Sequence, residues 1–204
     1  MRIGPRFKVP CCKIDLDGNS LNWVSSIRHL GITIRSAKGF STCHLEAKQN
    51  FYKASNGILH CLGSNPNISL TLNLLYKIAI PMLTYGIGAL SLRGTELSSL
   101  CFAFNSLTCK LFKIKKISHI RLTQYFSSCF EAEHLLNYLR LGFLLKQVNN
   151  GKLIISCPLD EPDLEDFNDL LTLYGVNVND SRNLIKFKIW EKIKLSLLTA
   201  GILP

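Results

Sequence analysis

The spacing of apolar residues changes twice along this chain, and each change marks a different architecture. Two short runs, Lys13–Leu16 and Ser20–Trp23, flank Asp17-Gly18-Asn19. An Asp-Gly step between short alternating runs predicts a β-hairpin. Leu30, Ile32 and Ile34 then alternate with Gly31, Thr33 and Arg35, the period of a strand with one buried face. This is the only β-rich part expected before residue 150.

From Ser41 the period becomes helical. Leu45, Tyr52 and Leu59 recur by sevens beside Phe51, Ile58 and Leu62, which predicts an amphipathic helix stopping at Gly63. A second helix is expected with Ser69 as N-cap and Leu72, Leu75, Tyr76 and Ala79 facing a core, ended or kinked by Pro81. Leu97, Leu100, Phe104, Leu107 and Leu111 keep a 3-4-3-4 rhythm, so residues 95–112 are expected to form a third. Glu131 and Glu133 open a fourth, through about Lys146, with acids where the helix dipole favours them.

At Asn149-Asn150-Gly151 the composition shifts again. A β-type run, Leu153-Ile154-Ile155, precedes a short acidic helix carrying Leu164, Phe167, Leu170, Leu171 and Tyr174, with Pro162 at its start. Arg182 to Leu198 reads as a final basic helix. The expected fold is α+β and mainly helical, in three parts: a hairpin region over 1–40, a helical bundle over 41–148 and a small C-terminal appendage over 149–204.

Charge sharpens this division. The chain of 204 residues has a net charge of +10. Residues 1–150 hold 18 Lys/Arg against 6 Asp/Glu, while residues 151–204 hold 6 against 8. A basic body suits a phosphate-backbone partner, because each neutralised phosphate releases counterions. A lysine-rich surface that merely keeps a protein soluble gives the same count. The eight cysteines are scattered, apart from Cys11-Cys12, and no secretory signal precedes them. This pattern points to a reducing, intracellular compartment, nuclear or cytoplasmic, and not to secretion. The most apolar window, Ile78–Leu92, is 15 residues long and holds Pro81, Gly86 and Gly88. That is short of the ~20 a bilayer needs, so no membrane partner is expected.

Several segments in succession resemble the reverse transcriptases of non-LTR (LINE-type) retrotransposons. They begin with Arg2-Ile3-Gly4-Pro5-Arg6-Phe7 and Arg28-His29-Leu30-Gly31-Ile32, where His29 stands at the family's usual Tyr. They continue through Leu62-Gly63-Ser64, Ile80-Pro81-Met82-Leu83-Thr84-Tyr85-Gly86, Leu97-Ser98-Ser99-Leu100, Phe104-Asn105-Ser106-Leu107 and Lys110-Leu111-Phe112-Lys113. The match spans about residues 1–148; residues 149–204 match no segment of the family.

The resemblance implies the end of a polymerase palm, with Arg28, His29, Leu30 and Gly31 as the primer grip, followed by a helical thumb and connection. The family's metal-binding Asp-Asp turn, with the rest of palm and fingers, would lie upstream of Arg2. Magnesium is then the cofactor of the intact RNA-directed DNA polymerase, and this chain carries none. The implied partner is the backbone of an RNA or DNA template–primer. Arg35 and Lys38 near the hairpin, Lys48 and Lys53 on the first helix, and Lys113, Lys115 and Lys116 after the third are the candidate phosphate contacts.

No other chemistry has a comparable pattern. Asp15 and Asp17 flank a turn and read as a solvated hairpin tip. The acids from Asp160 to Asp169 surround a helix start and read as a solvated face. Cys43-His44 and His60-Cys61 are adjacent pairs without metal-ligand spacing, and no catalytic or metal residue is expected. Gly86-x-Gly88 lacks the third glycine and preceding strand of a dinucleotide site. Lys113 to Lys116 could serve only to complement a helix C-terminus. The alternative function is a non-catalytic helical protein-interaction module, or a decaying transposon-derived reading frame. It would leave Trp23, Ile32 and Ile34 without a core.

Overall fold

The structure is a computed structural model that describes residues 1–63, 66–90, 92, 94–116, 118–150 and 161–203. The protein is α+β and mainly helical, with two small antiparallel sheets. It divides into two compact units, Met1–Gln49 and Asn50–Pro204.

The first unit holds the five strands found among the described residues. β1 (Ile14–Leu16) and β2 (Asn19–Leu21) pair with Leu16 opposite Asn19. Their turn is Asp17-Gly18, and both residues are left-handed, at φ 51° and 78°. Two positive-φ residues make the tight turn whose twist matches a hairpin, which is why Asp-Gly predicts it. β3 (Ser26–His29), β4 (Ile32–Arg35) and β5 (Ser41–Cys43) form a second sheet in that order. The sequence places Ser41 at a helix start, but Ser41 pairs with Arg35. Helix α1 begins only at Leu45. Thr and Cys suit a pleated strand as well as a helix start, so the period alone did not separate them.

Pairing register sorts the second sheet into two faces. Ile27 opposes Ile34 and His29 opposes Ile32, while Arg28 opposes Thr33 and Ser26 opposes Arg35. Side chains of opposed residues share a face, and successive residues alternate. Ile27, His29, Ile32 and Ile34 therefore line one face, and Arg28 and Arg35 the other. Thr42 is the single buried residue of the unit. Trp23, Ile27 and Phe40 are 44%, 48% and 65% exposed, and Ile32 and Ile34 are half-buried. The amphipathic pattern is real, but the unit has no core of its own.

The second unit is helical. α1 (Leu45–Leu62) starts in the first unit and continues here, ending at Gly63 with φ 71°. α2 (Ile68–Leu74) is capped by Asn67, whose side chain accepts a bond from the Leu70 N–H. Asn67 therefore takes the role expected of Ser69; both are good caps, and Asn67 is the one with extended backbone. Pro81 does not end the helix. The turn before it widens to a π-helical stretch, Leu75–Ala79, in which the Ile80 N–H donates to the Leu75 carbonyl. The wider turn takes up the missing N–H and ring clash of proline, and α3 (Ile80–Thr84) follows directly.

Gly86, at φ 72°, then reverses the chain into a short 3-10 turn, Ile87–Ala89. α4 (Thr95–Phe112) has the expected bounds, and α5 (Ser118–Phe126), α6 (Ala132–Asn150), α7 (Glu161–Tyr174) and α8 (Arg182–Thr199) complete the unit. The apolar pattern predicts no helix where α5 stands. The β-type run at 153–155 lies outside the described residues.

Two cores meet along α6. Phe51, Leu75, Ala79, Leu83, Leu100, Phe104 and Leu107 build the first, joined by Ala132 and Leu136 of α6. Leu141, Leu144 and Leu145 of the same helix enter the second with Phe167, Leu170, Ile185, Ile189, Ile193 and Leu197. α7 and α8 thus share a core with the rest of the bundle, although composition sets residues 149–204 apart.

Gly88 lies where the 3-10 turn crosses α6. A Cβ there would sit 2.9 Å from the Leu139 carbonyl oxygen. The Gly86-x-Gly88 pair thus serves a chain reversal and a close backbone approach. Among the described residues, one stretch, Ile68–Ala89, is long and apolar enough to cross a membrane by length and composition. Its Leu75, Ala79, Ile80, Leu83 and Ile87 belong to the first core, and a core helix passes the same test.

Candidate nucleic-acid interface

The hairpin β3–β4 turns on two residues, Leu30 at φ 47° and Gly31 at φ 80°. Gly31 adopts this conformation at no steric cost, but a leucine there costs roughly 1–2 kcal/mol. The Leu30 side chain is also 76% exposed. Both its backbone and its side chain are therefore in unfavourable places. Strain of this kind is found where a side chain must be presented at a particular spot.

The base of this hairpin, at the opposite end from its tip, is tied down. The Gly4 N–H donates to the Ala37 carbonyl, and the Ser36 hydroxyl donates to the Arg2 carbonyl. The Arg2–Phe7 segment is thereby fastened to the end of β4, and the Trp23 indole donates to the Cys12 carbonyl. Arg28 and Arg35 share the polar face. Arg28 pairs with Glu46 at 3.0 Å on the surface, and Arg35 donates to the Thr42 carbonyl. An exposed pair of this kind is weak, so a phosphate can compete for Arg28. His29 projects from the apolar face, away from the two arginines. Lys38 is exposed between β4 and β5, and Lys48 lies on the first turns of α1. The unit carries 8 Lys/Arg and 3 Asp/Glu, a local excess of the right sign for a phosphate backbone.

In the second unit Lys53 is exposed on α1, and Lys113, Lys115 and Lys116 are exposed after α4. Lys113 is itself the C-cap of α4, left-handed at φ 55°. Its N–H satisfies the Cys109 carbonyl, so part of this cluster completes a helix end.

The most constrained charges lie elsewhere, at a place the sequence reading did not single out. Arg140 of α6 is buried, and it donates to the Gly88 carbonyl, to Asp163 and to Asp166. Two of the acids read as a solvated face are thus turned toward a buried guanidinium. The clue was Arg140 itself, four residues from Leu136 and four from Leu144 in the apolar stripe of α6. Nearby, the Tyr174 hydroxyl lies 2.7 Å from His134 Nδ1 and accepts from the Asn137 amide. Burial lowers the His134 pKa and raises that of Tyr174 to about 12. The pair is neutral and joins α6 to α7.

Two thiols of the helical unit are held in their protonated form. Burial pushes the Cys101 thiol up to about 11, helped by Glu133, and raises that of Cys129. Both stay protonated, whereas the reactive form is the thiolate. Among the described residues no group of three or more His, Cys, Asp or Glu could hold a metal. Asp15 and Asp17 sit in and beside the exposed turn of β1–β2. Comparison of the chain with protein families, with curated proteins and with solved structures finds no match.

Proposed function

We propose that this chain is the part of a non-LTR retrotransposon reverse transcriptase that follows the catalytic centre. On this reading it holds the sugar–phosphate backbone of an RNA or DNA template–primer and does not polymerise. The observation that carries the proposal is the β3–β4 tip. The residues matching the family's primer grip fall on a strained, exposed turn, with Arg28 and Arg35 on one face of its sheet. Gly31 leaves room for close approach of a nucleic-acid backbone, and the arginines supply contacts that position it without reading sequence. The order of the other matching segments along α1, α3 and α4 supports the same reading. Magnesium belongs to the intact parent enzyme, through residues outside this chain.

The second reading is a protein-interaction module. The exposed Trp23, Ile27 and Phe40 favour it, because apolar side chains on a coreless unit call for a covering partner. Binding to a 3′-recessed primer–template and to a blunt duplex of equal length separates the two. The primer-grip reading expects tighter binding to the recessed end, and no primer extension with magnesium. Equal affinity for the two substrates would remove the 3′-end role.

A further inference from the structure

Helix α8 is apolar on two opposite sides. Ile185, Ile189, Ile193 and Leu197 point into the second core, each 3% exposed or less. Leu184, Phe187, Leu195 and Leu198 are 41%, 59%, 56% and 40% exposed. At about 100° per residue these four fall in a single arc centred opposite the buried stripe. Glu191 sits in the middle of that arc and Lys194 at its edge. Neither has an ion pair among the described residues.

The stripe reads the same from both ends. From Leu184 the steps to Phe187, Glu191, Leu195 and Leu198 are 3, 4, 4 and 3. We propose that this face is the contact of a homodimer, with two α8 helices packed antiparallel about a two-fold axis beside Glu191. A two-fold contact requires a self-complementary patch, and the mirrored spacing supplies one. Leu184 meets Leu198 of the second copy, and Phe187 meets Leu195. The axis brings the two Glu191 carboxylates near each other, and each is also brought near Lys194 of the other copy. Every acid thus gains an opposite charge across the contact.

A lipid surface is the competing occupant of an apolar stripe with basic neighbours. It has no use for the mirrored spacing, and it would drive Glu191 into the apolar layer with no cation to meet it. The contact is small, at or below the low end of specific interfaces, so the dimer is reversible.

Sedimentation equilibrium on the full chain from about 1 to 100 µM tests this. The expected result is a monomer–dimer equilibrium that weakens at least tenfold in Phe187→Ser and in Leu195→Ser. Both positions are exposed, so the melting temperature measured at a concentration where the unmodified chain is monomeric should stay unchanged. Glu191→Lys and Lys194→Glu should each weaken the dimer, and the two together should restore it. A monomer throughout the range would overturn the proposal, whether or not anionic phosphatidylserine vesicles capture it. So would dimerisation indifferent to Phe187→Ser and Leu195→Ser, or a charge-swapped pair no better than the single variants.

Discussion

Ending the chain after Asn150 should abolish the cooperative unfolding of the helical unit. The truncation removes α7 and α8, and with them Phe167, Leu170, Ile185, Ile189, Ile193 and Leu197. Phe130, Leu141, Leu144 and Leu145 then face water. Each such side chain is worth roughly 1.5–3 kcal/mol when buried. Four of them together approach the ~5–15 kcal/mol that holds a whole domain folded. The remaining chain should keep much of its far-ultraviolet helical signal, lose its near-ultraviolet signal and bind a hydrophobic dye. A sharp thermal transition within a few degrees of the full chain would mean that the C-terminal helices contribute little to the bundle.

Arg140→Met should cost about 2–3 kcal/mol of stability. The long apolar side chain keeps most of the volume, so the loss isolates the charge and its hydrogen bonds. Asp163 and Asp166 lose a buried guanidinium, and the Gly88 carbonyl loses its donor. Breaking a buried pair from one side typically costs ~3–5 kcal/mol. The lower figure applies here because the two carboxylates keep 30% and 20% of their surface in water. Adding Asp163→Asn and Asp166→Asn to Arg140→Met should recover part of the loss. Urea unfolding of the three proteins measures this, and a loss below about 0.5 kcal/mol for Arg140→Met would show the network to be incidental.

Local chemistry made much of this fold legible, and tertiary choices hid the rest. Asp17-Gly18 and Gly63 announce their turn and helix end because few other residues tolerate positive φ. The 3-4-3-4 rhythm from Leu97 to Leu111 fixes α4 because that face meets one continuous core. At Pro81 the choice between an end and a kink stays open in the sequence, because a proline's cost depends on whether the preceding turn can widen, and nothing local reveals that it does. α5 is short, and Ser118-His119 gives no strong start signal. The partnership of Arg140 with Asp163 and Asp166 joins residues more than 20 positions apart, so no spacing rule reaches it. At the candidate interface, Arg28-His29-Leu30-Gly31 is readable as a motif. The strain at Leu30 and the separation of His29 from the arginines require the register of β3 with β4.

The most direct measurement of the proposed nucleic-acid contact is the salt dependence of binding. Affinity for a primer–template should be insensitive to sequence and fall steeply with salt in the unmodified chain. Lys48 and Lys53 lie on α1 about 140° apart around the helix axis, so they cannot serve one phosphate redundantly. Lys48→Ala and Lys53→Ala should each reduce the log–log slope by roughly 0.7–0.9, the signature of one lost phosphate contact. The double variant should lose twice that, with helicity unchanged by circular dichroism. An unmodified slope in all three variants, or no binding by the parent chain at low salt, would contradict the account.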